Sequence, residues 1–445
     1  MSLSTTDVAH LVIALALLLL AAHTMGYLFA ALHQPAVIGE IAGGLVLGPT
    51  VLGALVHGST RHLFTSGVTA SVLGAIYQLG LLLLMFLVGT ELRFRAGPAE
   101  RRTVLSITAV GLMVPFAVGA LIALMLDYRR FAGPHGTGTT FALIFGIAIA
   151  VTSIPVISRI LMDLGILDTA FSRVVLTVAV LEDIALYVVL AVVLGLAQAK
   201  SQQTYGLWAA IGSDSVTLTG VYYVAISLVY LGCTLVWGGR LVRALVNSRV
   251  NILEQRNPTG FRLLVLLGMA LICMGLGINA IFGALMAGIA CGHADAVPDE
   301  SARLARTQAW ASLKQFSLAF FIPIYFAIVG LQLDLIRNID VVFFCWFFVV
   351  ACIVKAASVW VGARLAGEDS RSSVGLAVAM NARGGPGIVL ATVTFAAGLV
   401  NEKFFTALVL LSIFTSQIAG FWLDRTFVRR KESLERPVPD EELIR

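Results

Sequence analysis

Four ionisable side chains stand inside long apolar runs of this sequence: Glu182, Asp183, Lys355 and Arg383. At about 1.5 Å of rise per helical residue, Asp183 lies about 18 Å into its run from Phe171. On the same scale Lys355 is about 13–14 Å from Arg364, and Arg383 about 16 Å from Ser372. All four therefore fall near the middle of a bilayer-thick segment. Facing lipid, each would cost about 2.5–3.5 kcal/mol. Two structural ion pairs are one reading, because the four charges sum to zero. Buried pairs are often no better than apolar packing at joining helices, however. The default for ionisable residues at this depth is a transport or relay site.

Two segments are broken near the same depth. One carries Thr152-Ser153-Ile154-Pro155, where Pro155 removes a backbone donor and strains the preceding turn. The other carries Asn381-Ala382-Arg383-Gly384-Gly385-Pro386-Gly387, which can hardly stay helical. Freed carbonyls and the Thr152 and Ser153 hydroxyls can replace the water shell of a hard monovalent cation. The charges nearby can balance the half-helix dipoles. Asp183 offers a carboxylate that binds a cation or takes a proton, and competition for one carboxylate is the minimal exchange mechanism. Nothing points to a transition metal: no His lies among these residues, and His23 and His33 sit in the first span and at its inner end.

The elements that must position these groups are membrane spans. Of 445 residues, 59% are hydrophobic and 12% charged, and the mean hydropathy is +0.94. Soluble domains carry roughly 25% charged residues, so this chain cannot coat two or three soluble cores. Soluble enzymes, nucleic-acid binders and disulfide scaffolds are excluded. The five cysteines (Cys233, Cys273, Cys291, Cys345 and Cys352) lie in or beside apolar runs, show no metal or redox spacing, and read as small packing residues. The N-terminus has no basic residue before its first apolar run, so the first span is expected to be retained.

Apolar runs of about 20 residues give an all-α polytopic protein of about 13 spans. They cover roughly 8–31, 36–53, 71–92, 103–126, 140–161, 171–198, 217–245, 261–275, 277–293, 316–332, 341–363, 372–398 and 404–423. Gly275 and Gly277 could instead lie inside one long segment. With the N-terminus outside, about 22 of the 30 basic residues fall on the inner side, which places the C-terminus in the cytoplasm. The breaks lie in the fifth and twelfth spans, an odd offset, so equivalent segments run in opposite directions. That is the pattern of inverted repeats, here approximately 36–198 and 277–423. Residues 1–424 then form one transmembrane domain, and 425–445, with Pro437 and Pro439, a short disordered cytoplasmic tail. Any nucleotide-sensing regulatory domain is expected to be a separate chain.

In these residues the sequence resembles the monovalent cation:proton antiporter-2 family, the Kef-type sodium/proton exchangers. The likeness runs in order along nearly the whole chain. It begins with Gln34-Pro35-Ala36-Val37-Ile38-Gly39-Glu40 and Gly43-Gly44-Leu45-Val46-Leu47-Gly48-Pro49 in the second span. Leu84-Met85-Phe86-Leu87-Val88-Gly89-Thr90-Glu91-Leu92 follows, then Thr152-Ser153-Ile154-Pro155-Val156 with Asp163-Leu164-Gly165, and Glu182-Asp183. Ile281-Phe282-Gly283-Ala284-Leu285-Met286-Ala287-Gly288, Tyr325-Phe326-Ala327-Ile328-Val329-Gly330-Leu331, Lys355 and Arg383-Gly384 complete the set.

The resemblance implies a sodium/proton antiporter fold: a core with two crossing unwound helices, sliding against a dimer domain in a homodimer. Asp183 would be the carrier carboxylate, and Lys355 would face Glu182 across the site. This chain departs from the family twice: members often have Asp, Gln or Asn at the position of Glu182, and many have a Glu after the Arg-Gly pair, where this chain has Gly385-Pro386. Lesser polar residues fit blander roles. Glu40 and Glu91 near span ends fit either an inner vestibule or interfacial exposure. Gln78 reads as a packing residue, and Asp163 and Asp168 as helix caps.

The expected function is exchange of Na⁺ or K⁺ for H⁺ across a plasma membrane, with no cofactor beyond the transported ions. A gated cation channel is the alternative from another class, but a channel wants a continuous polar lining and these polar residues cluster at one depth. Export of another solute, such as a cation-complexed antibiotic, is a third. No nucleophile–base pair is evident, so the chain is not read as an enzyme.

Overall fold

The computed structural model describes residues 4–32, 34–55, 63–64, 67–91, 100–163, 166, 169–200, 207, 216–248, 251–294 and 300–434. Among the described residues sixteen longer helices carry the fold, with shorter helical turns between them. In chain order they begin with α1 (Thr5–Ala31), α2 (Ala36–Leu47), α3 (Gly67–Glu91), α4 (Arg101–Met125), α5 (Gly138–Ala150) and α6 (Ile154–Asp163). Next come α7 (Ala170–Lys200), α8 (Val216–Cys233), α9 (Pro258–Gly275), α10 (Ala280–Ala294) and α11 (Glu300–Phe316). The last are α12 (Ile322–Leu331), α13 (Val341–Ala366), α14 (Ser370–Ala379), α15 (Gly384–Ala396) and α16 (Glu402–Leu434). Short π-helical turns, Thr234–Gly238 and Ser317–Phe321, lie in the seventh and tenth spans.

Among the described residues, eleven helices are long and apolar enough to cross a membrane. The shorter apolar helices Gly138–Ala150 and Ala280–Gly292 fall on the two remaining expected spans. Gly277, at φ +79°, turns the chain between α9 and α10, so these are separate helices. Glycine takes that backbone angle without strain.

The helices pack as two groups. One contains α1, α2, α3, α9, α10, α11 and α12; the other contains α4 to α7 and α13 to α16; α8 joins them, packing along α7 and reaching α9 through the Tyr230 hydroxyl on Met269 O. Apart from α8 and its continuation Thr234–Gly238, which lean on α7 and α10, close backbone approach between the groups is sparse: α10 meets α7, and the short turn Leu335–Asn338 meets α16. Inside the first group, glycines set the helix spacing. A Cβ on Gly44 would strike the Ala327 carbonyl, and one on Gly330 the Ile41 carbonyl. Small residues at such crossings let backbones touch, as membrane helices require. In the second group, loops 131–135 and 398–401 are laced by backbone bonds, among them Gly133 N–H to Leu399 O at 3.0 Å and His135 N–H to Gly398 O at 2.8 Å.

The expected tail boundary at 425 is not a helix end. α16 continues to Leu434, through Arg, Lys and Glu residues that favour helix; residues 435–445 lie outside the described residues.

Candidate functional site

Neither broken span is a continuous helix. α5 ends at Ala150, Val151 is extended (φ −65°, ψ 142°), and α6 begins at Ile154. α14 ends at Ala379 and α15 begins at Gly384. The non-helical stretches are shorter than the sequence suggests. Pro155, Gly384 and Gly385 fall in the first turns of α6 and α15, whereas Asn381 lies in the gap. A first turn has no intrahelical partner for its N–H groups, so Pro155 and Pro386 cost no hydrogen bond there. The two gaps touch: Ser153 N–H donates to Ala382 O at 2.6 Å. The Thr152 hydroxyl lies 2.7 Å from Met380 O and 2.8 Å from Glu182 Oε2. Its single hydrogen can serve one of them at a time.

α5 stops inside the protein, leaving carbonyls unpaired at its negative dipole end. Two cations close it. Arg383 donates from Nε to Ala148 O (3.1 Å) and from Nη2 to Ile149 O (3.0 Å) and Ala351 O (2.8 Å). Its Nη1 reaches Asn381 O and Oδ1 at 3.1 and 3.0 Å. Lys355 Nζ lies 2.6 Å from Ala150 O, 3.0 Å from Gly111 O and 2.8 and 2.9 Å from the Glu182 oxygens, its three hydrogens serving the two carbonyls and, by sharing one, both carboxylate oxygens. The second structural ion pair suggested by charge balance does not form, because Arg383 is satisfied by backbone carbonyls and leaves Asp183 alone.

Glu182, Lys355 and Arg383 are fully buried, and Asp183 is 1% exposed. Neither Asp183 oxygen has a hydrogen-bond partner, nor has the Ser153 hydroxyl. A bare anion so placed is costly, so the carboxyl calls for a proton or a cation. Asp183 borders a void of about 10 Å³ with Ile147, Val151, Tyr187, Pro386 and Leu390, room for about one water. Among the described residues no group of three or more His, Cys, Asp or Glu gathers as a metal site.

A much larger cavity, about 1140 Å³, opens between the two helix groups on the face carrying the segments 134–135, 277–281 and 398–403. Gln78, expected to pack between helices, is exposed on its wall. Two buried lining residues, Tyr77 and Thr392, carry no signal in the sequence, being ordinary members of apolar runs. Glu40 is partly buried on α2, with one oxygen unpartnered. The side chains of Glu91 and Asp163, and all of His33 and Asp168, lie outside the described residues.

Residues 15–429 match the family described as sodium/hydrogen exchanger, transmembrane. The chain is 28% identical over 404 residues to the Na⁺/H⁺ antiporter NhaS4 of Synechocystis sp., an alignment covering 90% of this chain and 92% of that one. It is 26% identical over 423 residues to the Na⁺/H⁺-K⁺ antiporter GerN of Bacillus cereus, covering 95% and 97%. The solved sodium proton antiporter MjNhaP1 of Methanocaldococcus jannaschii shares the fold, with a TM-score of 0.55 at 14% identity over 95% of this chain and 97% of that one. A match spanning nearly every membrane helix assigns this multi-pass chain to the transmembrane sodium/hydrogen exchanger family.

Proposed function

We propose that the chain is a secondary antiporter exchanging a monovalent cation, Na⁺ or K⁺, for protons, with Asp183 as the carboxylate that the two share. The observation that carries this reading is a buried carboxyl with both oxygens unpartnered, bordering a void beside two touching helix breaks. Lys355 and Arg383 supply counter-charge at the end of α5 in this state, and Glu182 is engaged by Lys355. Ser153, with its hydroxyl unpartnered, joins Asp183 as an ion ligand. Thr152 ties the two breaks together and can release its hydroxyl to an ion.

Relatives named as Na⁺/H⁺ and Na⁺/H⁺-K⁺ antiporters support both candidate cations. Selectivity rests on the number and field strength of the ligating oxygens. The polar groups of the site gather at one depth and Asp183 sees only a small void, which favours a carrier over an open channel. The repeats at 36–198 and 277–423, a homodimer, a plasma-membrane location and an outer N-terminus complete the proposal. Its test is cation-induced proton release from proteoliposomes across Na⁺, K⁺, Li⁺ and Rb⁺. Release with at least one of these, lost in Asp183→Asn, is the expected result. Proton release by Asp183→Asn at the wild-type rate would remove Asp183 from the mechanism.

A further inference from the structure

Tyr77 and Thr392 line the large cavity, and with Tyr325 they bring together hydroxyls from both helix groups. Tyr77 on α3 and Tyr325 on α12 come from one group, and Thr392 on α15 from the other. The Tyr325 and Thr392 hydroxyls lie 2.9 Å apart. Thr392 can send its own hydrogen to the Val389 carbonyl at 3.1 Å, which leaves its oxygen free to accept from Tyr325. The Tyr77 ring leans on the Tyr325 ring at 5.0 Å between centroids, and its hydroxyl is in reach of Thr392. Tyr325, Thr392 and Tyr77 are all buried, at 0%, 1% and 7% exposure.

Tyr77 and Thr392 line the large cavity. Tyr187 lies near both Tyr325 and Asp183, and with Asp183 it lines the small void. The hydroxyls thus border the cavity, whereas Asp183 borders only the separate small void. The two tyrosines are fixed relative to each other, because α3 presses its Gly80 against the Phe321 carbonyl and the Cβ of Tyr325. Thr392 instead rides on α15, the helix that begins at the break. Away from α8 the groups make little direct backbone contact, so a buried side-chain bond across the seam there weighs more than one inside either group.

We propose that the Tyr325–Thr392 hydroxyl bond, backed by Tyr77, is a latch closing the route from the large cavity to Asp183, and that it must part for a monovalent cation to reach the carboxylate. The proposal rests on the carrier reading of Asp183, but its test reads access and not transport. Leu390→Cys places a thiol on the wall of the Asp183 void, and Gln78→Cys places one on the cavity wall. The full chain in proteoliposomes is treated with a membrane-impermeant cationic methanethiosulfonate, and modification of each introduced cysteine is timed by mass spectrometry.

Loss of one neutral hydrogen bond should speed modification of Leu390→Cys about 3- to 10-fold. That acceleration is expected with Thr392→Val and again with Tyr325→Phe. Thr392→Ser keeps the hydroxyl and should restore the slow rate, whereas Gln78→Cys should react equally in every background. Modification at position 390 that is unchanged or slower in both Thr392→Val and Tyr325→Phe, while position 78 reacts normally, overturns the latch. Failure of the carrier reading shows up separately, as normal exchange by Asp183→Asn.

Discussion

Lys355 holds both carboxylate oxygens of Glu182, at 2.8 and 2.9 Å, and the adjacent Asp183 has no partner for either of its own. Two neighbouring acids on one helix are thus placed in opposite circumstances. Glu182 is locked to a cation from α13, and Asp183 is left for whatever ion enters the void.

Asp183→Asn is expected to reduce exchange to the level of protein-free liposomes. The amide neither carries a proton at this pH range nor neutralises a cation. No hydrogen bond is lost, so the thermal midpoint in detergent should stay within a few degrees of wild type or rise. A fall in the midpoint large enough to account for the lost transport would indicate a structural role instead.

Because protons and cations compete for one carboxyl, exchange should rise from acid to alkaline pH. The proton-bound form excludes the cation, so more cation moves the activation midpoint toward lower pH. With one-for-one competition and cation well above its dissociation constant, a tenfold increase shifts the midpoint by about one pH unit. Rates measured at several fixed cation concentrations check this, and a stationary midpoint contradicts direct competition.

The Glu182–Lys355 pair predicts a strongly non-additive mutant cycle. Glu182→Gln strands a buried ammonium and Lys355→Gln a buried carboxylate, each costing about 3–5 kcal/mol. The double substitution leaves two neutral amides and should be less damaging than the sum. The pair also bears on charge movement. If cation entry at Asp183 breaks it and Lys355 sheds its proton, two protons cross per cation and exchange responds to voltage. That electrogenic outcome is the one expected of wild type, read in proteoliposomes clamped with a K⁺ gradient and valinomycin while Na⁺ is exchanged. Exchange indifferent to the clamp would mean that the pair persists and only the Asp183 proton moves.

At the start of α14, outside the spans, Asp369 accepts from the N–H groups of Arg371 (3.0 Å) and Ser372 (3.4 Å). The Ser372 side chain, then these amides, hold its carboxyl below the usual carboxylate range. A lowered folded value stabilises the protein above the unfolded value of about 3.9, and that contribution fades as pH falls through the folded value. Asp369→Ala should therefore lower the thermal midpoint at pH 6, with the gap to wild type narrowing below about pH 4. A gap equally wide at both pH values would rule out the carboxylate cap.

What could be read in the sequence was set by local rules. Span positions follow from apolar length, and the breaks from Pro155 and the Gly384-Gly385-Pro386 cluster, each acting on its own neighbourhood. The Lys355–Glu182 contact was implied by family resemblance and not by spacing. The partners of Arg383 were not legible, since backbone carbonyls occur at every residue and only the folded end of α5 selects Ala148 and Ile149. Tyr325 and Thr392 escaped for a similar reason. A hydroxyl in an apolar run signals nothing until two helix groups meet and bring it to a partner 67 residues away.

The sequence distance between Lys355 and Glu182, 173 residues, also constrains biogenesis. At synthesis rates of about 5–20 residues per second, Glu182 emerges roughly 9–35 s before the lysine that neutralises it. The carbonyls at the end of α5 wait still longer for Arg383. Through that interval the half-made protein holds an acidic helix and an uncapped one with their final partners still on the ribosome. The early spans must therefore be sheltered, by the insertion machinery or by water at the interface, until the last third of the chain arrives. A nascent chain released before Arg383 would carry exposed polar groups that membrane quality control could recognise.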